Sequence, residues 1–106
     1  MLQLNEATFA SEVLEGKGPA LVEFWAPWCG DCRRIGPAFQ KTAEALEGKL
    51  LIGQVNLDDE KALGEAFDVK AIPTFLFFRD GQPGERLVEP GSKAELDDWL
   101  KRQLGE

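Results

Sequence analysis

The spacing of hydrophobic positions changes from one segment of this 106-residue chain to the next. Residues 20–26, 50–57 and 74–78 are almost continuously apolar, which is typical of strands buried on both faces of a sheet. Between these segments, and after residue 92, apolar residues recur every three or four positions, which predicts amphipathic helices. Strands that alternate with helices are expected to lie parallel, with right-handed crossovers.

The first and third predicted helices are short. The first follows Asn5, a good N-cap residue, and the third follows the acidic residues 58–60, which are expected to cap it and to occupy its first turn. The inner faces predicted from the spacing are Phe9, Val13 and Leu14 for the first helix, and Ala62, Leu63, Ala66 and Phe67 for the third.

The second predicted helix, from Cys29 to before Gly48, is the longest, and the fourth begins at a capping box formed by Ser92 and Glu95. A hairpin turn at residues 80–84 joins the strand at 74–78 to a return strand through 86–88. The prediction is a single α/β domain over residues 1–106. Its mixed central sheet has about five strands, parallel in the first half with an antiparallel C-terminal hairpin, and about four helices flank it.

Composition narrows the class of function. The chain has 12 Lys and Arg against 19 Asp and Glu, a net charge of −7, which disfavours binding to nucleic acid or an anionic membrane. It has no histidine and only two cysteines, too few ligands for a zinc site within one chain. No apolar segment reaches the roughly 18 residues of a membrane span. Residues 1–15 have no basic side chain, so they do not resemble a signal peptide. We therefore expect a cytoplasmic monomer without metal or bound cofactor.

The candidate chemistry lies in Cys29 and Cys32, which follow an apolar strand and open a predicted helix. The amide groups and the dipole of a helix N-terminus stabilise a thiolate, which is the nucleophile of disulfide exchange. Cys32, one turn further, can attack a mixed disulfide on Cys29 and release the target. In a reducing compartment, an isolated pair at this spacing is more often catalytic than structural. The sequence therefore predicts a redox-active disulfide.

Several separated motifs resemble the thioredoxin family over essentially the full chain. They are the segments VEFWAPWCGDC at 22–32, VNLD at 55–58 and IPT at 72–74, together with Pro37 and Gly81. The resemblance implies the thioredoxin fold, an exposed attacking Cys29 and a buried resolving Cys32. It also implies a cis Ile72–Pro73 bond beside the dithiol. Disulfide-containing target proteins would be the substrates and a thioredoxin reductase the electron donor. We expect Trp28, Ile72 and Pro73 to form an apolar rim that receives the target backbone.

Asp31 stands where the family usually has proline between glycine and the second cysteine. Together with Gly30 it is a candidate for tuning the redox chemistry, because its charge should raise the pKa of Cys29 and disfavour the anionic form. The loss of the rigid proline can oppose this effect of charge. The charge of Asp31 alone therefore does not fix the sign of the change in redox potential. In the alternative interpretation, Asp31 is a solvated acid in the first turn of the helix and has no effect on the redox chemistry.

Glu23 stands where the family has a buried aspartate behind the resolving cysteine, and Gln54 replaces the usual lysine partner of that carboxylate. A lone carboxyl in an apolar strand should have a raised pKa, and its extra methylene favours reach toward the sulfur. Glu23 is therefore the candidate proton acceptor for Cys32. If the strand lies at an edge, Glu23 faces solvent instead.

Some alternatives stay open at this point. Asp31 breaks the reductase-type dipeptide, so a disulfide oxidant or isomerase is the second enzymatic hypothesis. A non-catalytic adaptor that binds partners through the groove is a third, and a metal or iron–sulfur site shared between two chains is a fourth. After the last strand, where the family usually has a groove glycine, an ungapped match gives Glu89, and a shifted loop gives Gly91.

Overall fold

Five strands form one mixed sheet in the computed structural model, which describes residues 1–105. The strands are β1 (Leu2–Gln3), β2 (Pro19–Trp25), β3 (Leu51–Asn56), β4 (Thr74–Arg79) and β5 (Gln82–Val88). Their order across the sheet is β1-β3-β2-β4-β5. The first three are parallel, whereas β4 pairs antiparallel with β2 and β5 antiparallel with β4. The predicted mixed sheet with a C-terminal antiparallel hairpin is confirmed.

Within residues 1–105, four helices cover the two faces of the sheet. They are α1 (Glu6–Phe9, continued by a π-helical turn over Ala10–Leu14), α2 (Gly30–Ala45), α3 (Lys61–Ala66) and α4 (Lys93–Leu104). One apolar cluster joins α1 and α3 to the sheet through Phe9, Leu63 and Phe24. A second cluster joins α2 and α4 to the other face through Phe39, Trp99 and Phe75. This is the α/β thioredoxin fold that the resemblance implied.

The near-continuous apolar run of β2 follows from its central place in the sheet. Both of its edges are hydrogen-bonded, to β3 and to β4, so its two faces each meet a helical layer. Since side chains alternate along a strand, Leu21 and Glu23 face the α2 and α4 layer, whereas Val22 and Phe24 face α1 and α3. The strand then ends at the loop that carries the cysteines.

The first helix differs from its predicted form because it changes its winding. After Phe9 the backbone widens into a π-helical turn, in which the amide of Glu15 donates to the carbonyl oxygen of Ala10 at 3.0 Å. A wider turn rotates the following side chains, so Val13 stays buried while Leu14 is 43% exposed. The prediction that Leu14 shares the inner face with Phe9 is wrong.

The third helix is shorter than predicted and buries only part of the predicted face. Leu63 and Phe67 pack in the core, as predicted. Residues 58–60 precede it rather than forming its first turn, and Glu60 at the N-cap makes no capping bond with its side chain. That carboxylate instead accepts the amide of Glu6 at 3.0 Å. Within six residues only Leu63 and Gly64 are buried, so Ala62 and Ala66 of the predicted face are exposed.

The hairpin turn is tighter than predicted. Only Asp80 and Gly81 form it, with φ values of 52° and 80°, and the predicted turn residues Pro83 and Gly84 already belong to β5. Proline is tolerated there because β5 is an edge strand. A Cβ atom at Gly81 would overlap the carbonyl oxygen of Leu14, so this turn needs glycine for space as well as for its φ.

The capping box of α4 is half formed. Ser92 Oγ accepts the amide of Glu95 at 3.1 Å, as the sequence predicts. The Glu95 carboxylate reaches past Ser92 and accepts the amide of Gly91 at 2.8 Å. The helix start is therefore held at two amides, one residue further apart than in the usual box.

Candidate active site

Cys29 and Cys32 form a disulfide at the N-terminus of α2. Cys29 is the N-cap residue, with an extended backbone, and its Sγ accepts the amide of Cys32 at 3.1 Å. The two Cα atoms are 5.2 Å apart, within the ordinary range for a disulfide. Because β2 ends at Trp25 and α2 begins at Gly30, the short loop between them fixes the pair at the carboxyl end of the central strand.

Exposure does not separate the two cysteines, which corrects the expectation of an exposed Cys29. The exposed fractions are 6% for Cys29 and 5% for Cys32. Both pack with Ala26, and Trp25 and Ile72 close over this small apolar cluster. The carbonyl oxygen of Ile72 lies 3.7 Å from Cys29 Sγ, so the cover comes from a loop 43 residues away. What distinguishes Cys29 is its N-cap position, with a backbone amide directed at its sulfur.

The Ile72–Pro73 bond is cis, as the resemblance implied. Ile72 is half-buried and Pro73 buried, and β4 begins directly after them at Thr74. The loop therefore lies against the disulfide through the contact of Ile72 with Cys29.

Trp28 lies beside the disulfide with its ring in solvent. It is 67% exposed, the largest exposed fraction among the large apolar side chains of the described residues. Its Nε1 donates to Asp58 Oδ1 at 3.0 Å, and the amide of Asp58 donates to Asn56 Oδ1 at 2.9 Å. Asp58 was not among the predicted site residues, although it belongs to the VNLD segment that carried part of the resemblance.

Asp31 and Gly30 lie between the cysteines on the exposed side of α2. The Asp31 carboxylate forms an ion pair with Arg34 one turn further along the helix. The two side chains are 47% and 75% exposed, so solvent screens the pair. The negative charge beside the disulfide is thus offset, in part, by a neighbouring guanidinium. A Cβ atom at Gly30 would meet nothing within 4 Å, so glycine is not required there for space.

Glu23 is buried in the central strand, which excludes the solvent-facing alternative. Only 2% of the residue is exposed, and burial raises the pKa of its carboxyl from 4.5 to about 7, although the bond from Gln54 acts to lower it. Gln54 Nε2 donates to Glu23 Oε1 at 2.8 Å. Within residues 1–105 the carboxyl makes no hydrogen bond to either sulfur, so the expected direct reach is not observed in the disulfide form.

The described residues contain neither a cluster of metal ligands nor a membrane-spanning helix. No group of three or more His, Cys, Asp or Glu side chains in 1–105 is arranged to hold a metal ion. None of the helices in that part of the chain is long and apolar enough to cross a membrane.

A dithiol at a helix N-terminus, between a cis-proline loop and an exposed tryptophan, can exchange disulfides with another molecule. The fold and the site together define a protein of the dithiol–disulfide exchange class.

Comparison with known proteins gives the family. The sequence model of the thioredoxin family, described as Thioredoxin, matches residues 1–102. The chain is 36% identical over 102 residues to thioredoxin 1 of Nostoc sp., covering 96% of this chain and 95% of that protein. It is 36% identical over 104 residues to the thioredoxin of Rhodospirillum rubrum, covering 98% and 100%. A chloroplastic M-type thioredoxin of Spinacia oleracea is 33% identical over 101 residues, covering 95% and 56%. The chain belongs to the thioredoxin family and is a protein disulfide oxidoreductase.

Proposed function

We propose that this chain reduces disulfides in target proteins, with Cys29 as the attacking and Cys32 as the resolving cysteine. The observation that carries this assignment is the bond from the Cys32 amide to Cys29 Sγ at the N-terminus of α2. A hydrogen bond to the charged form and the positive end of the helix dipole both favour a thiolate at Cys29. Cys32 lies inside the first turn and lacks the N-cap position.

In the first step the Cys29 thiolate attacks one sulfur of the target disulfide. The target S–S bond breaks, a mixed disulfide with Cys29 forms, and the second target sulfur leaves as a thiolate that takes a proton from water. In the second step the Cys32 thiol loses its proton and its sulfur attacks Cys29. The Cys29–Cys32 disulfide then forms and the other target sulfur leaves, so that the target gains the two electrons that the dithiol loses.

Glu23 accepts the Cys32 proton in the second step and later returns it to the leaving target sulfur. A base is most effective when its pKa lies near the working pH, and burial brings the pKa of Glu23 to about 7. Histidine, the usual base near neutral pH, does not occur in the chain.

Targets bind along the rim formed by Trp28 and Ile72; Pro73, the third residue expected in this rim, is buried directly after Ile72. The exposed ring of Trp28 and the half-buried Ile72 border the disulfide, and both can cover the backbone of an extended segment. The Trp28 ring is held by Asp58, so it meets a target with little loss of conformational freedom.

The electron donor is a thioredoxin reductase, and the protein acts as a single-domain monomer in the cytoplasm. Thioredoxin has a reduction potential near −270 mV, within the range of the cytosolic glutathione pool and well below that of isomerases and oxidases. The Asp31 carboxylate favours a potential on the reducing side, because a negative charge near the N-terminus of α2 disfavours the Cys29 thiolate of the reduced form, and its ion pair with Arg34 weakens this effect. We propose no oxidant function on this basis.

Trapping experiments test the order of attack. With Cys32→Ser, a disulfide-containing target such as oxidised insulin should accumulate as a covalent adduct on Cys29, since nothing resolves it. With Cys29→Ser, no adduct should form at comparable rate. Equal trapping by both variants would overturn the assignment. Equilibration of the wild-type dithiol against a glutathione buffer tests the direction, and a potential near that of oxidases would favour the oxidant hypothesis.

A further inference from the structure

A row of three polar side chains runs across the sheet from its edge to Glu23. Gln3 of β1 is the register partner of Gln54 in β3, and Gln54 is the register partner of Glu23 in β2. Neighbouring strands lie about 4.8 Å apart, so side chains in register on one face can bond directly. The row starts at an exposed residue and ends at a carboxyl that is 2% exposed.

The hydrogen bonds of this row point in one direction. Gln3 Nε2 donates to Gln54 Oε1 at 2.6 Å, and Gln54 Nε2 donates to Glu23 Oε1 at 2.8 Å. An amide has one acceptor end and one donor end, whereas an ionised carboxylate only accepts. Because Gln3 occupies the oxygen of Gln54, the donor end of Gln54 is directed at Glu23.

We propose that Gln3 and Gln54 form a donor relay that keeps the buried Glu23 carboxyl able to ionise, and that both are positioning residues for the dithiol reaction. Burial acts against the charged form, and the bond from Gln54 acts for it. Neighbouring hydrogen bonds polarise one another in a low-dielectric interior, so the bond from Gln3 strengthens the bond that Gln54 donates. The relay adds no charge to the interior, unlike a lysine at the position of Gln54.

No charged side chain in residues 1–105 forms a hydrogen bond or ion pair with Glu23. On β3 and β4 its register partners are Gln54 and Phe75. From α2, the titratable group is the thiol that Cys32 carries once reduced, because Asp31 and the two arginines that follow Cys32 are exposed.

The charged groups of other elements are bonded elsewhere. Asp58, beyond the end of β3, is exposed and bonded to Trp28. On α4 the half-buried Asp97 bonds to Thr42 and Lys93. The amide relay is therefore the polar partner that the fold supplies to Glu23.

Methionine substitutions test the relay, since they keep side-chain length and remove the amide. The pKa of Glu23 is measured by carboxyl NMR in the disulfide form, where no thiol titrates. Gln54→Met should raise the pKa of Glu23 by about one pH unit, because it removes a hydrogen bond to the charged carboxylate. Gln3→Met should raise it by about half a unit, because it removes only the bond that strengthens the one from Gln54. Gln82→Met, on the opposite edge strand, is the matched control and should leave it unchanged.

A donor-only side chain tests the direction of the row. Gln3→Lys still donates to Gln54 Oε1, so it should keep the pKa of Glu23 at or below the wild-type value. Measurement in 1 M salt removes the effect of the added exposed charge. The relay is overturned if Gln3→Met leaves the Glu23 pKa at the wild-type value, or if Gln3→Lys raises it as Gln3→Met does. Gln3 is exposed, so these variants remain informative even if Gln54→Met does not fold.

The consequence for rate rests on the proposed role of Glu23 and is measured separately. At pH 7 the ionised fraction of Glu23 should fall about twofold in Gln3→Met, and resolution of the mixed disulfide should slow by the same factor and recover at higher pH. A shifted pKa with an unchanged rate profile would leave the relay standing and would remove Glu23 as the proton acceptor. An unshifted pKa would remove the relay alone.

Discussion

The backbone amide of Glu89 donates a hydrogen bond to the carbonyl oxygen of Pro73 at 2.9 Å. This bond ties Glu89, the residue after β5, to the cis-proline loop that contacts the disulfide. Glu89 has a φ of 50°, in the left-handed region that favours glycine. A bulky acid thus occupies a backbone position that is strained for it, next to the loop of the proposed target-binding rim.

Replacing Glu89 by glycine should stabilise the protein. Glu89→Gly removes a left-handed cost of about 1 kcal/mol, although the added freedom of the unfolded chain takes back part of the gain. Urea denaturation measures the change. Glu85→Gly, in the exposed extended strand β5, is the matched control and should destabilise, since that position gains nothing from glycine. If both variants destabilise equally, the left-handed backbone of Glu89 carries no strain worth relieving.

The same variant should change target preference. Glu89 is exposed and acidic, so it favours target segments with a basic residue near the disulfide and disfavours acidic ones. Glu89→Gly should reduce the rate ratio between a Lys-bearing and a Glu-bearing disulfide peptide by about threefold at low ionic strength, with less effect at high salt. Equal ratios for wild type and variant at both salt concentrations would contradict this.

Stability should depend on pH through Glu23. The folded pKa of about 7 lies above the ordinary value of 4.5, so the folded state binds the proton more tightly than the unfolded state. The free energy of unfolding therefore falls as pH rises from about 4.5 to about 7, by about 3 kcal/mol, and is level above that range. Glu23→Gln has no such group and should be more stable than wild type at pH 8 but not at pH 4.5. Denaturation of the disulfide form at both pH values measures the difference.

The exposed Glu65 supplies a control for this measurement. Glu65→Gln should follow the wild-type pH dependence, since its carboxyl is exposed in the folded state. A Glu23→Gln protein that loses as much stability as wild type between pH 4.5 and pH 8 would show that the buried carboxyl is not the source.

Arg34 should mask the charge of Asp31. Arg34→Gln leaves the carboxylate unpaired near the N-terminus of α2, where it disfavours the Cys29 thiolate and hence the reduced form. The reduction potential should become more negative by about 10 mV, a small effect because the pair is exposed. Asp31→Asn should move it in the opposite direction, and the double variant should lie between them. Equilibration with glutathione measures all four proteins, and identical potentials would show that neither charge reaches the sulfur.

Trp28 should matter for protein targets and not for small disulfides. Trp28→Ala removes the exposed ring from the rim, and the rate with a protein disulfide should fall about tenfold, as for an aromatic residue central to an interface. The rate with oxidised glutathione should change little. Trp28→Phe keeps a ring without the bond to Asp58 and should lie between the two. A parallel loss with both substrates would instead indicate damage to the disulfide itself.

The fold was predictable wherever only one structure explains the pattern of apolar residues. The segment 20–26 is apolar throughout because β2 is covered on both faces, and the turn at Gly81 needs glycine on steric grounds. The position of Leu14 was not predictable, because a π-helical turn keeps an apolar pattern while rotating it. The six residues of α3 are too few for a periodicity to define one face.

The chemistry of the site was predictable from local sequence, whereas its surroundings depend on distant contacts. Cys29 and Cys32 are recognisable from their spacing and from the strand and helix around them. The burial of Cys29 is set by Ile72, and no local pattern shows that contact. The same holds for the partners of Glu23, since the pairing of Gln3 with Gln54 depends on the register of two strands that are 48 residues or more apart in sequence.

The two edges of the sheet also restrict where an unfolded client can attach. At one edge β1 offers only two residues, and at the other β5 carries Pro83, an irregular register near Leu76 and Phe78, and charged side chains. Short, kinked or charged edges resist the addition of a foreign strand. Both edges of this sheet therefore resist co-aggregation with proteins whose own strands are unpaired. A foreign strand finds little regular backbone to pair with at either edge.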